Sequence, residues 1–172
     1  MEHNCAFQDG DCKFRYRAAA VIINDNCILM VTADNVDYYY SIGGAVHLGE
    51  QAKQAAIREV YEEAGIKCNI DRLLFINENF FLENGLNNHE ISLYFLMKPI
   101  NLNEVKRESN SCGFQEYLEW IPIKDLPHIK AYPSFFKTEL LNLPDTTKHI
   151  VTTWNLILTA ANEQSRETYD YF

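Results

Sequence analysis

Three glutamates lie close together near the middle of the chain. Glu59, Glu62 and Glu63 stand at i, i+3 and i+4, so a helix here would place all three carboxylates on one face. Like charges at this spacing repel, and the helix gains no stability from them. A divalent cation such as Mg²⁺ takes oxygen ligands and would turn that repulsion into attraction. The cluster alone is more typical of a solvated acidic face, so the surrounding residues must decide.

The flanking residues indicate a helix with defined ends. Gly65 suits the left-handed position just past a helix C-terminus. Glu50 lies near the N-terminus, where a carboxylate interacts favourably with the helix dipole. On one straight helix Glu50 would point away from Glu59, so it would reach a shared site only from the preceding loop or from a first, irregular turn. The predicted buried face, opposite the carboxylates, consists of Ile57, Val60 and Ala64.

A glycine pair precedes this helix and completes a longer pattern. Gly43 and Gly44 offer a bend whose bare backbone can approach a metal or a phosphate. The full pattern covers 23 residues and comprises Gly44, Glu50, Arg58-Glu59-Val60, Glu62-Glu63 and Gly65-Ile66. It resembles the Nudix box, and its nine specified positions make it more specific than a short motif. Many family members have proline where Ile42 stands, which affects the shape of the loop more than the chemistry.

The resemblance implies a metal-dependent hydrolase that acts on a nucleoside diphosphate linked to another group. The implied cofactor is Mg²⁺, with Mn²⁺ as a substitute, and the implied ligands are Glu59, Glu62, Glu63 and the Gly43 carbonyl. Metal held there would bridge the enzyme and the phosphates and stabilise the charge on the leaving phosphate. Glu50 would serve as an accessory ligand or hold the water, and Arg58, one turn before Glu62, would brace that carboxylate.

A further glutamate is implied as proton acceptor or extra metal ligand. In the family such a residue often lies just before a tryptophan, and here Glu116 and Glu119 both precede Trp120. The sequence does not separate the two. We favour Glu116 because it is nearer the preceding loop, with an ordinary exposed glutamate as the alternative for each.

Four residues outside the box are candidate substrate contacts. Arg15 and Arg17 alternate with apolar positions and share one face of a predicted strand, where they could meet phosphates; a solvent-facing edge is the favoured alternative. Tyr40 could stack on a base, although strand aromatics are more often core. Phe81 stands where family branches differ. The proline of ADP-sugar pyrophosphatases and the tyrosine of dinucleoside polyphosphate hydrolases are both missing there, so the substrate is undetermined.

The expected fold class is α/β: a Nudix fold, in which a mixed sheet lies between helices in an α/β/α sandwich. Strands are predicted over residues 13–34, around a turn at Asn24-Asp25-Asn26, and over 38–42, 68–82, 90–97, 116–123 and 149–151. A loop is expected at 83–88, a mobile loop at 101–115, and an amphipathic helix over 133–141 with Phe135, Phe136 and Leu140 on the sheet. The predicted organisation is an N-terminal extension (1–12), a hydrolase domain (13–145) and a C-terminal extension (146–172).

Bulk properties suit one globular domain. The chain has 172 residues, 47% of them hydrophobic and 23% charged, and it shows no internal repeat. The net charge of −9 disfavours a nucleic-acid polymer or an anionic membrane as partner. The five cysteines, Cys5, Cys12, Cys27, Cys68 and Cys112, form no C-x-x-C pair and are predicted to be free thiols. Without a signal-like N-terminus or a long apolar run, a cytoplasmic location is expected.

The resulting hypothesis is a Mg²⁺-dependent Nudix pyrophosphohydrolase acting on a small nucleotide diphosphate. One alternative is a regulatory module that binds a nucleotide ligand on the same fold without turnover. Another is an RNA decapping enzyme, which the acidic balance disfavours. The tail at 146–172 is expected to pack on the domain or on a second subunit of a homodimer.

Overall fold

A computed structural model describes residues 3–34, 36–109, 115–157 and 164–171, with side chains described as far as residue 153. Cys112 and residues 110–114 of the predicted mobile loop lie outside the described residues. The described part of that loop contains a 3₁₀ turn at Leu102–Glu104. None of the helices in the described ranges is long and apolar enough to cross a membrane.

One large mixed sheet organises the described residues, with few helices. Its strands are β1 (Ala6–Asp9), β2 (Cys12–Asn24), β3 (Cys27–Ala33), β4 (Tyr39–Tyr40), β5 (Gly43–Ala45), β6 (Cys68–Glu83), β7 (Leu86–Pro99), β8 (Glu108–Ser109), β9 (Glu116–Pro122), β10 (Ala131–Tyr132), β11 (Lys148–Ile157) and β12 (Gln164–Tyr171). The helices are α1 (Ala52–Ala64) and α2 (Phe136–Glu139), and a 3₁₀ segment spans Ile123–His128.

The main path of the sheet runs β10-β4-β3-β2-β7-β6-β11-β12, with β5 and β1 also paired to β2 and β9 paired to β3. β2 is parallel to β7 and antiparallel to β3 and β5. β6 is antiparallel to β7 and parallel to β11. The sheet is therefore mixed, as expected, and β2 is the strand against which the glycine bend and the long β6–β7 hairpin are both aligned.

The sheet separates two apolar cores because successive side chains of β2 point to opposite faces. Ala18 and Ala20 pack under α1, whereas Ala19 and Val21 face the second core. The second core includes Phe135, Phe136 and Leu140, as predicted. The expected helix over 133–141 is wrong in extent: α2 spans only Phe136–Glu139, because residues 133–135 form a turn whose hydrogen bonds run from i+3 to i, such as Phe136 N–H to the Pro133 carbonyl at 3.1 Å.

The β2–β3 and β6–β7 hairpins turn tightly. Asp25 and Asn26 have φ of 49° and 59° between β2 and β3, where the turn was expected. Asn84 and Gly85, at φ of 52° and 78°, join β6 to β7. The predicted loop over 83–88 is therefore wrong: Asn-Gly suits a two-residue hairpin turn with two positive φ values, so both strands continue almost to the turn.

Both chain ends contribute strands to the same sheet. β1 pairs antiparallel with β2, with Phe7 opposite Phe14. β11 lies parallel to β6, with Ile150 opposite Asn77, and β12 follows antiparallel to β11. The domain boundaries proposed at residues 12 and 145 stay predictions.

Candidate active site

α1 carries the acidic cluster and has well-formed ends. At its start Gln51 and Gln54 cap each other's backbone N–H groups with their side chains, an arrangement like a capping box. At its end Gly65 has φ 72° and donates its N–H to the Tyr61 carbonyl at 3.0 Å. The predicted glycine cap is confirmed.

The buried face of α1 differs from the predicted one. Val60 and Ala64 are buried as expected, but Ile57 is 39% exposed and Ala55 and Ala56 are fully buried. Glu63 is only 5% exposed, although it was placed on the open carboxylate face. The physical reason is that small alanines and the glycine bend let β2 and β5 approach α1 closely, which rotates the buried side toward the carboxylates.

Gly44 makes that close approach possible. A Cβ on Gly44 would lie 2.4 Å from Glu59 Oε1 and 2.7 Å from Glu59 Oε2. At Gly43, where φ is 143°, a Cβ would instead lie 2.4 Å from the Ala18 carbonyl oxygen of β2. The two glycines therefore have different roles, since Gly44 makes room for a carboxylate and Gly43 makes room for the sheet.

Arg58 connects the acidic side chains. Its Nε and Nη2 donate to the two carboxylate oxygens of Glu50 at 3.0 and 3.1 Å. Its Nη1 donates to Glu59 at 2.7 Å and to Glu62 at 3.2 Å, and Nη2 also reaches the Ala45 carbonyl at 3.1 Å. The hydrogen bonds from Arg58 hold the pKa of Glu50 below its usual value. Glu50 thus joins the cluster from the loop before α1, as predicted.

Glu63 lies deepest in the cluster. Its Oε1 accepts the Gly43 N–H at 3.3 Å, while Oε2 is buried without a hydrogen-bond partner among the described residues. Burial, together with the neighbouring Glu59 and Glu116, raises the pKa of Glu63 to about 8, against the opposing effects of Arg17 and of the Gly43 N–H. Burial and the two neighbouring glutamates thus oppose the ionisation of Glu63, and a nearby cation would favour its charged form.

Arg17 supports the glycine bend from the other face of the sheet. It is 9% exposed, so the solvent-facing edge favoured from the sequence is wrong for this residue. Its guanidinium donates to Ser41 Oγ at 3.2 Å, to the Ser41 carbonyl at 2.8 Å and to the Gly43 carbonyl at 3.0 Å. Arg17 thus orients the carbonyl predicted to bind metal, and its contact with a phosphate stays a prediction.

The structure separates the two candidate glutamates of β9. Glu116 is 1% exposed, accepts the Tyr40 hydroxyl at 2.6 Å and is close enough to raise the pKa of Glu63. Glu119 is exposed and accepts the Tyr39 hydroxyl at 2.9 Å. The difference follows from strand geometry, because residues three apart point to opposite faces. Only Glu116 lies with the acidic helix, and Tyr40 reaches the cluster through its hydroxyl.

The remaining predicted contacts lie farther along the sheet. Arg15 is paired with the buried Glu90 of β7. Phe81 is half-buried. It lies on the same face of β6 as Asn77 and Asn79, because the three residues occupy alternate positions of that strand. Sequence reasoning missed the polar residues of this face. The detectable signal was polar residues at every second position within β6 and β7, strands that are otherwise apolar.

The donor set fits a hard divalent cation. Carboxylates and a backbone carbonyl are the oxygen ligands that such ions prefer. Glu63 Oε2 is buried without a hydrogen-bond partner among the described residues, so this oxygen is available to bind a cation. Among the described residues no three acidic, histidine or cysteine side chains converge on one point as they stand. Arg58 accounts for this, since its guanidinium occupies the space between Glu50, Glu59 and Glu62.

Fold and site together define a hydrolase-like α/β domain with an acidic helix beside a glycine bend. The NUDIX domain model matches residues 13–138. The chain therefore belongs to the Nudix family, and the resemblance seen in residues 44–66 is confirmed.

Relatives of known name match parts of the chain. A putative mutator protein MutT4 of Mycobacterium tuberculosis is 34% identical over 89 residues, which are 52% of this chain and 34% of that protein. Diphosphoinositol polyphosphate phosphohydrolase 3-alpha of Mus musculus is 32% identical over 116 residues, 65% of this chain and 66% of that protein. The chain thus spans about a third of the first relative and just under two thirds of the second.

Solved structures agree on the fold. The MutT protein of Bacillus halodurans superimposes with a TM-score of 0.66 at 15% identity, covering 91% of this chain and 97% of that one. A UDP-X diphosphatase superimposes with a TM-score of 0.57 at 20% identity, covering 70% and 55% of the two chains. These structures share the mixed sheet with few helices that the described residues show.

Proposed function

We propose that the protein is a Mg²⁺-dependent pyrophosphohydrolase that cleaves the diphosphate of a nucleoside diphosphate linked to another group, here called X. The cation would be held by Glu59, Glu62, Glu63 and the Gly43 carbonyl, with Glu50 as an accessory ligand and Mn²⁺ as a substitute. The family membership and the phosphohydrolase and diphosphatase names of the relatives support this reading.

The observation that carries the proposal is the concentration of carboxyl groups at one buried point. Burial, with Glu59 and Glu116 close by, raises the pKa of Glu63 to about 8, and burying ionisable carboxyl groups side by side destabilises a fold. A purely structural role of these three glutamates would not explain why the protein keeps this destabilising arrangement. A cation site would, because a hard divalent cation takes several carboxylate oxygens as ligands and would offset the repulsion between them.

The proposed reaction is attack of water on phosphorus. The bridging P–O bond breaks, one phosphate leaves with each product, and the proton of the water passes to Glu116. Bound Mg²⁺ supplies neutralisation of the diphosphate charge and Lewis-acid polarisation. Arg58 holds Glu50, Glu59 and Glu62 in place, and Arg17 orients the Gly43 carbonyl. The Tyr40 hydroxyl donates a hydrogen bond to the Glu116 carboxylate. This bond holds the carboxylate in position to accept the proton of the water.

The test is a substrate panel with and without metal. The purified protein is incubated with Mg²⁺ and nucleoside diphosphates linked to various groups, and released nucleoside monophosphate is measured. We expect turnover that disappears with excess EDTA and returns with added Mg²⁺. Binding of the same compounds without any product would instead identify a regulatory ligand-binding module on this fold, and the enzymatic proposal would be wrong.

The compartment and the assembly state are part of the proposal. Cys5, Cys12, Cys27 and Cys68 are free thiols, which suits a reducing cytoplasm. A homodimer through the C-terminal extension is a further expectation. Light scattering on the full chain tests it, with a mass near twice 20.0 kDa as the expected result and a monomer mass as the contrary one.

A further inference from the structure

Polar side chains cover the sheet face opposite α1, next to the glycine bend. Strand register places Arg15 opposite Glu90, Glu90 opposite Asn79, and Asn79 opposite Thr152. Paired residues of neighbouring strands share a face, so these four form a row across β2, β7, β6 and β11. A second row beside it contains Ser92 and Asn77. We call the six residues Arg15, Asn77, Asn79, Glu90, Ser92 and Thr152 the polar sheet face.

The polar sheet face continues directly into the candidate active site. Arg17 stands opposite Ser92 in the second row, and its guanidinium binds the carbonyls of Ser41 and Gly43. From β2 to β6 the face extends about 10 Å, because neighbouring strands lie about 4.8 Å apart. A group joined to a diphosphate at Gly43 would therefore have to span about this distance to reach Asn79 on β6.

The floor of the polar sheet face is an ordered hydrogen-bond network. Ser92 Oγ donates to Glu90 Oε1 at 2.7 Å. Asn77 Nδ2 donates to Thr152 Oγ1 at 2.9 Å and to the Ile150 carbonyl at 3.1 Å. The outer edge is more open: the Arg15 side chain is 41% exposed, and Asn79 is half-buried. A buried floor with an open edge is the form of a binding surface.

One acceptor in this network is unused. Asn79 Oδ1 is shielded from solvent and has no hydrogen-bond partner among the described residues. A buried acceptor without a hydrogen-bond partner destabilises a protein. A hydroxyl donor placed at the open edge would satisfy it after a small movement of the amide.

The charge of the polar sheet face is balanced. Arg15 forms an ion pair with Glu90, so the row has no net charge between Arg15 and Thr152. Lys13, two residues before Arg15 on the same face of β2, lies outside this row. A group X bearing several phosphates would require several unmatched cations at this place. A neutral group rich in hydroxyls would require donors and acceptors without charge, which this face supplies.

We propose that the polar sheet face binds X and that X is a neutral, hydroxyl-rich group, namely a sugar. This inference rests on the proposed pyrophosphohydrolase function and narrows its substrate to nucleoside diphosphate sugars. Asn79 accepts a hydrogen bond from a sugar hydroxyl, and the Glu90–Arg15 pair contacts further hydroxyls. Phe81, two positions beyond Asn79 on the same face of β6, lies beside the sugar.

The test compares substrates that differ only in X. We measure kcat/KM with Mg²⁺ for UDP-glucose against UDP, for ADP-glucose against ADP, and for a diphosphoinositol polyphosphate. The sugar nucleotides should be the preferred substrates. In Asn79→Ala the ratio of kcat/KM for sugar nucleotide over plain diphosphate should fall about tenfold, the factor that one ordinary hydrogen bond supplies, chiefly through KM.

A matched control and an isosteric variant sharpen the comparison. Asn69→Ala removes an exposed asparagine near the other end of the same strand and should leave the ratio unchanged. Glu90→Gln keeps the side-chain shape but leaves Arg15 without its counter-charge, and should raise kcat/KM for the diphosphoinositol polyphosphate relative to the sugar nucleotides. If Asn79→Ala does not fold, the change of substrate preference in Glu90→Gln tests whether the polar sheet face binds a sugar.

The outcomes separate this inference from the proposed function. An equal loss on all substrates in Asn79→Ala, an unchanged ratio, or a wild-type preference for the diphosphoinositol polyphosphate overturns the sugar assignment while leaving the hydrolase standing. If no compound is hydrolysed, the proposed function fails. Calorimetric titration with UDP-glucose then decides on the polar sheet face: binding that weakens about tenfold in Asn79→Ala supports it, and equal or undetectable binding in both proteins contradicts it.

Discussion

Replacing Gly44 with alanine should impair catalysis far more than folding. The new Cβ would lie 2.4 Å from Glu59 Oε1 and 2.6 Å from Glu59 Cδ. These atoms are the end of a flexible side chain, so the fold can accept the methyl group by moving the carboxylate. Gly44 also lacks the positive φ recorded for Gly43, so alanine is not strained by the backbone conformation.

The size of the movement sets the expected effect. An ordinary contact begins near 3.4 Å, so Glu59 must retreat by about 1 Å. A misplacement of about 1 Å in a catalytic arrangement can lower the rate about a hundredfold. We therefore expect kcat/KM to fall about 100-fold and Mg²⁺ affinity to weaken, while the unfolding free energy changes by less than about 2 kcal/mol.

Gly43→Ala is the matched comparison. Its Cβ would meet the backbone of β2, at 2.4 Å from the Ala18 carbonyl oxygen and 2.6 Å from Ala19 Cα, so we expect this variant to fold poorly. The assays are steady-state hydrolysis over a Mg²⁺ series, calorimetric metal binding and thermal unfolding of each protein. Gly44→Ala with wild-type activity and metal affinity would refute the assignment of Glu59 to the metal site.

Two further predictions concern the carboxylates facing Glu59. Tyr40→Phe removes the hydroxyl that donates to Glu116 at 2.6 Å, so kcat should fall about tenfold with little change in KM; an unchanged kcat would show that this hydrogen bond does not support catalysis. Glu63, with its pKa raised by burial to about 8 from 4.5, keeps a proton in the folded state that the unfolded chain releases, so stability of the metal-free protein should fall as pH rises between these values. Glu63→Gln should remove that fall, and scanning calorimetry at pH 5 and pH 8.5 should show a larger gain in its unfolding midpoint over wild type at the higher pH; equal differences at both pH values would contradict the shift.

The acidic helix could be predicted because its information is local. The spacing of Glu59, Glu62 and Glu63 determines their proximity on any helix, and Gly65 marks the end of that helix. Arg58 reaches Glu62 across one turn, as the i, i+4 rule requires. The burial of Glu63 was not predictable in this way, since it depends on β2 and β5 packing against α1.

Residues on strands were harder to place because their faces depend on long-range pairing. A one-residue change of register exchanges the two faces of a strand, so the sequence alone could not separate Glu116 from Glu119. The same limit hid the polar sheet face. Its residues come from strands distant in sequence, and Asn79 meets Thr152 only because β11 returns parallel to β6.

The most direct test of the metal site is the Mg²⁺ dependence of hydrolysis in wild type and in Glu62→Gln. The Glu62 side chain is 50% exposed and makes one described ion pair, with Arg58, so the variant should remain folded. We predict that EDTA abolishes turnover in both proteins and that Glu62→Gln needs at least about tenfold more Mg²⁺ for half-maximal activity. Turnover that persists in EDTA, or identical Mg²⁺ curves for the two proteins, would contradict a catalytic cation held by the carboxylates of α1.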